Sequence, residues 1–152
     1  MDKLDVIDVF TIGFTKKNAE KFFDFIKNSN TSTLIDVRLN NLSQLSGFAK
    51  RDDLKYFLRE LCDVDYIHVP DFAPTKEILN AYKKGEISWE KYEDGFLNLM
   101  AKRNIERLVS SIDIKDGCLL CSEHEPHFCH RRLVMEYLNE NTDFEYKVKH
   151  LY

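Results

Sequence analysis

"CLLCSEHEPHFCHRRLVMEYL", Cys118 to Leu138, is the stretch on which the fold turns. Four apolar or weakly polar residues open it, a polar loop follows, and Leu133, Val134, Tyr137 and Leu138 then fall at helical spacing. The stretch therefore reads as a strand feeding a helix through a loop rich in Cys, His, Glu and Arg.

Working outward, the same unit recurs. "VIDVFTIGF" is a strand ending at Gly13, after which Thr15 or Asn18 can cap a helix with Ala19, Phe22, Phe23 and Ile26 on one face. "TLIDVR" is a second strand, apolar enough to be covered on both sides. Leu54, Phe57, Leu58 and Leu61 form the next helical stripe, and "YIHVP" is a third strand. Thr75 caps a short helix that stops near Gly85, Ser88 opens another, and Ile105, Leu108, Val109 and Ile112 continue after a break near Asn104. The tail "FEYKVKHLY" alternates Phe144, Tyr146, Val148 and His150 with Glu145, Lys147 and Lys149, a strand with one wet face suited to a sheet edge.

Alternating strands and helices predict an α/β fold: one domain over residues 1–152, with a mostly parallel sheet of about five strands flanked by helices in a Rossmann-like three-layer arrangement. No repeat, low-complexity tract or Gly/Ser linker divides the chain. In such sheets ligands collect at the carboxyl ends of the strands. Four loops should then meet there: "GFTKK", "DVRLNN", "HVPDFAPT" and "CSEHEPHFCHRR".

Composition narrows the function. With 152 residues, 43% apolar, the chain can bury a real core without staples. A net charge of −4 does not favour nucleic acid as the partner, because phosphate-tracking surfaces usually carry a basic excess. Met1 to Asp8 interleaves acids with apolar residues and lacks a leader's long apolar core, and the apolar runs are too short to span a bilayer. A cytoplasmic location without a membrane partner is expected. In that compartment Cys62, Cys118, Cys121 and Cys129 are thiols or ligands rather than disulfides.

"TIGFTKK", "LIDVRLNNLSQLSGFAKRDDLKYFL", "YIHVPDFAPTKEILNAYKKGEISWEKYE" and "LLCSEHEPHFCHRRLVMEYL" together resemble the bacterial and archaeal family catalogued as domain of unknown function 488. The most specific part is the last block, with Cys121, Glu123, Pro126 and Cys129-His130-Arg131. Phe14 and Thr15 stand where the family commonly has His and Ser, and "LNNLSQLSGF" replaces the usual proline and arginine after Asp-Val-Arg. His124 and His127 fall outside the family block. The resemblance implies the fold and the place of the site, and it gives Glu123 a part in that site.

The chemistry admits three readings. In the first, Cys121 or Cys129 is a reactive thiol, its pKa lowered by the helix start and by Arg131, with His130, Glu123 and Asp36 as supporting acid, base or orienting groups. Arg38, Arg131, Lys16, Thr15 and Gly13 would hold an anion, so the partner is a small anionic substrate or nucleotide. The second reading keeps the anion pocket and drops the catalysis, giving a nucleotide- or nucleic-acid-phosphate-binding module.

The third is a zinc-stabilised interaction protein. Six soft or borderline donors lie within thirteen residues, and Cys121, His124, His127, Cys129 and His130 would be the ligands. Against it, structural zinc usually joins two separated ligand pairs, whereas these donors share one connection, and Cys118 and Cys121 point to opposite faces of a strand. No cofactor is therefore expected. Cys118 reads as core, as do Trp89, Tyr92 and Phe96, and His68 reads as a satisfied strand histidine. The loop "LNNLSQLSGFAKR" is placed to close over a substrate. Neither strand order nor oligomeric state follows from the sequence.

Overall fold

A computed structural model describes residues 6–42, 47–123 and 126–152. The chain runs β1 (Val6–Gly13), α1 (Ala19–Asn28), β2 (Thr33–Asp36), α2 (Arg51–Phe57), β3 (Asp65–His68), α3 (Lys76–Lys83), α4 (Trp89–Lys102), α5 (Ile105–Ser111), β4 (Gly117–Cys121), α6 (His130–Asn141) and β5 (Glu145–Leu151). The five strands form one sheet in the order β3-β2-β4-β1-β5, and every pairing is parallel. The sheet is thus wholly, rather than mostly, parallel.

Each crossover buries an amphipathic helix. The Phe22, Phe23 and Ile26 stripe of α1 and the Leu54 and Leu58 stripe beside α2 cover one face, meeting Ile12, Leu34 and Leu120 of the strands. Helices α3 to α6 cover the other, where Phe96, Met100 and Leu133 meet Val9, Ile35 and Leu119. The chain leaves β1 toward β3 with its helices on one side, then returns through β4 to β5 with them on the other. Right-handed crossovers impose that switch, and the crevice it leaves lies at the carboxyl ends of the central strands.

The helix starts follow capping chemistry. Asn18, rather than Thr15, accepts the Lys21 amide at 2.8 Å, Thr75 accepts that of Ile78 at 3.3 Å, and Ser88 accepts that of Lys91 at 3.2 Å. Asn104 marks the expected break with a left-handed φ of 53°. One departure is local: after Phe57 the chain winds into a π-turn over Leu58–Cys62, which takes Leu61 out of the stripe and leaves it 51% exposed. β5 is an edge strand with Lys147 and Lys149 on its wet side.

Candidate functional site

Register brings the loops level. Gly13 lies opposite Cys121, Asp36 opposite Leu120, and the Val37 amide donates to the Leu120 carbonyl at 3.1 Å. The segments following β1, β2 and β4 therefore begin at one height.

Cys121 ends β4, Cys129 is the extended N-cap residue of α6, and His130 is the first residue of that helix. Their two sulfurs and one ring nitrogen of His130 all lie within 4.8 Å of one another. Against the expectation of four unpaired cysteines, the Cys121 and Cys129 sulfurs are bonded to each other because strand end and helix cap converge, while their Cα atoms stand 7.5 Å apart; Cys62 and Cys118 are free. His130 Nε2 lies 2.7 Å from the Val37 carbonyl. A carbonyl only accepts, so Nε2 carries the proton and Nδ1 keeps its lone pair. Burial, the largest influence, pushes the His130 pKa down to about 4, so the ring is neutral at pH 7.

Arg131 is fully buried beneath the sulfurs. Its Nη1 donates to Cys121 Sγ at 3.1 Å and to the Glu123 carbonyl at 2.6 Å, and its Nε donates to Thr11 Oγ1 at 3.1 Å. Arginine can only donate, so Thr11 Oγ1 accepts from it, and the same hydroxyl shares a second hydrogen bond with His150 Nδ1, 2.5 Å away. When the sulfur pair is reduced, a guanidinium against Sγ favours the thiolate of Cys121.

Arg38 is 2% exposed and differently engaged. Its Nε and Nη2 grip both oxygens of Asp36 at 2.8 Å each, and Nη1 donates to the Ala49 carbonyl at 2.6 Å. The Tyr66 hydroxyl and Asn41 amide also donate to Asp36. Burial opposes the Asp36 charge, but the Arg38 hydrogen bonds and charge, joined by Tyr66, hold its carboxyl below the usual range.

These groups border a cavity of about 270 Å³. Cys121, Cys129, His130 and Arg38 form one side of its lining, and Tyr82, Trp89, Tyr92 and Phe128 contribute an aromatic wall. Trp89 stacks on Tyr92 with centroids 4.9 Å apart, and Tyr82 and Phe128 meet its ring at 5.4 Å each. Trp89 packs against the core as its spacing predicts, yet stays partly exposed and faces the cavity as well. A roomier groove of about 640 Å³ between α1 and α2 is lined by Phe23, Phe48, Phe57 and Cys62 and has no comparable cluster of reactive groups.

Of the four expected loops, those after β2, β3 and β4 line the cavity, through Leu39 and Asn40, Pro74, and Ser122 and Glu123. The first loop braces instead. Thr15 donates to the Ser122 carbonyl through its amide and its hydroxyl, and Gly13 packs so closely that a Cβ there would stand 1.5 Å from the Glu123 carbonyl oxygen. Lys16 is exposed with a left-handed φ of 58°, and it is Lys17 that turns inward. Burial first, then the Arg131 charge, brings the Lys17 pKa down to about 8.

Other candidates take simpler places. Cys118 is buried on the opposite face of the sheet, where burial pushes its thiol up to about 12. His68 donates through Nε2 to the Arg38 carbonyl at 3.0 Å. The His127 residue is exposed and its carbonyl accepts from Arg132. His124 and residues 43–46 of the expected closing loop lie outside the described residues. Sequence reasoning missed Thr11, Lys17 and His150, although the strand period already put Thr11 on the face of Val9 and Gly13.

The profile of the family described as "Domain of unknown function DUF488" matches residues 18–138, and the chain belongs to that family. No curated protein and no solved structure matches it. The matched segment begins at the α1 cap and ends within α6, so β1 and β5, which carry Thr11 and His150, lie outside it.

Proposed function

For this member of the DUF488 family we propose a small cytoplasmic enzyme that acts on an anionic, ring-bearing substrate, a nucleotide by class, with Cys121, Cys129 and His130 as its reactive centre. The observation that carries the reading is Cys121 Sγ bordering the cavity at 3.1 Å from the buried Arg131 guanidinium, with Cys129 and His130 alongside. In the reduced protein a thiol in that setting is favoured as thiolate, the form that reacts. Neutral His130 keeps its Nδ1 lone pair for a Lewis acid or a proton beside the sulfurs, and Glu123 at the cavity rim is the acid or base that stays free of them.

The substrate class follows from the walls. Tyr82, Trp89, Tyr92 and Phe128 suit a planar ring. The positive start of α6 and the Arg131 and Lys17 charges behind it suit a phosphate or carboxylate. Arg38 lines the same cavity, and Asp36 acts through it as a positioning residue. The reaction is transfer or hydrolysis at a phosphate-, nucleotide- or sulfur-bearing group. Among the described residues no helix is long and apolar enough to cross a membrane.

Trp89 is the chain's one tryptophan, so its emission reports on the wall directly. Nucleoside monophosphates should quench it saturably, more weakly as salt rises, and Cys121→Ser should bind yet not turn over. Quenching without turnover in the wild-type chain across a nucleotide panel would instead favour a binding module. Neither quenching nor turnover would overturn both readings.

A further inference from the structure

We infer that Cys121, Cys129 and His130 form a three-ligand zinc site whose fourth position opens on the cavity. The inference rests on the reading of these residues as the reactive centre and specifies what the sulfurs hold.

Backbone spacing is the first ground. Disulfides mostly span roughly 4.4–6.8 Å between Cα atoms, and Cys121 and Cys129 stand 7.5 Å apart with their side chains converging. Once a thiol reductant has taken the sulfur pair to two thiolates, the sulfurs can turn apart and each reach one ion at about 2.3 Å, which this wider Cα stance accommodates. Both positions are fixed by regular structure, one at the end of the central strand and one at the cap of α6.

The third donor is prepared for the same role. A ligating histidine usually gives its other ring N–H to a carbonyl or carboxylate, which sets the tautomer and aims the lone pair. His130 does this through Nε2 to the Val37 carbonyl at 2.7 Å, while its ring packs 5.6 Å from that of Phe96. Arg131 Nη1 is the corresponding outer partner of the Cys121 sulfur.

Donor type selects the ion. Two thiolates and an imidazole are soft and borderline ligands, suited to zinc and unsuited to magnesium or calcium. Three protein ligands with an open position mark the zinc sites that bind water or substrate, whereas structural sites close with four. The three donors border the cavity beside the aromatic wall. The fourth ligand is therefore water or an anionic oxygen of the substrate.

The full chain, purified under reducing conditions without chelator, should hold about one zinc per molecule by mass spectrometry. Cobalt(II) added to the metal-free protein should give thiolate charge-transfer and tetrahedral ligand-field bands that saturate at one equivalent. Cys121→Ser, Cys129→Ser and His130→Ala should each weaken cobalt binding at least about tenfold, while Cys118→Ser and His127→Ala should not. Adenosine monophosphate should shift the ligand-field bands.

Circular dichroism confirms that each variant is folded, and His130→Gln stands in for His130→Ala where the alanine variant is not. Absence of the bands, or bands indifferent to folded His130 variants, overturns the site. Failure of the metal leaves the functional reading separately visible, because Trp89 quenching by adenosine monophosphate is also read on metal-free protein. Bound zinc with no nucleotide effect on the bands or on Trp89 supports the metal and sinks the nucleotide reading.

Discussion

Two buried arginines stand at neighbouring strand ends, and they have opposite surroundings. At the β2 end, Arg38 is closed on the Asp36 carboxylate through two parallel hydrogen bonds and ties down the Ala49 carbonyl. At the β4 end, Arg131 gives the donors described to a hydroxyl, a carbonyl and the Cys121 sulfur. The first region matches charge with charge and clamps the segment that leads into α2. The second directs a positive charge at a group whose own charge depends on chemistry. Burial alone does not separate the two, since both are at most 2% exposed; the identity of the acceptors does.

The comparison breaks most readily on the Asp36 side. Asp36→Ala leaves Arg38 buried without its carboxylate and should cost about 3–5 kcal/mol in urea unfolding, without moving the titration of the Cys121 thiol in the folded molecule. A shift in that titration would mean the two strand ends are one electrostatic unit. Arg131→Gln should do the reverse in kind. It loses charge-assisted hydrogen bonds worth about 1.5–3 kcal/mol, and alkylation of the reduced, metal-free protein followed against pH should find the Cys121 thiol titrating higher than in the wild type.

Gly13→Ala tests the brace between the regions and should destabilise by about 1–3 kcal/mol, because the Glu123 carbonyl oxygen occupies the space of the new methyl. His150 gives a smaller, pH-dependent effect. Burial, with the Arg131 charge second, lowers its pKa to about 4. The unfolded chain, with an ordinary histidine near about 6.5, therefore takes up the proton first, and stability should fall as pH drops from 6.5 toward 4. His150→Asn should flatten the corresponding part of the curve. Leu61→Ala, exposed and remote from both strand ends, should stay within about 0.5 kcal/mol of wild type.

Much of the architecture is legible in the sequence alone. The spacing of Phe22, Phe23 and Ile26, the caps Thr75 and Ser88, and the wet face of the last strand each depend on neighbours a few residues away, and each stands where the pattern put it. Leu61 escaped because a π-turn changes the period within the helix that the pattern assumed constant. The site was less legible. Thr11 and His150 meet across 139 residues, and Lys17 rather than Lys16 turns inward because of one left-handed backbone position. The cavity wall needed α3, α4 and the loop before α6 to pack together.

By itself the sequence determined an α/β chain with a Cys-His-Arg block at a strand-to-helix turn, because hydrophobic period and capping are local and survive without tertiary context. Only the tertiary structure decided the strand order, the joining of Cys121, Cys129 and His130, and the division of labour between Arg38 and Arg131. Those depend on which segments share space, and in a parallel sheet every such neighbour arrives through a long crossover whose partner no local pattern specifies.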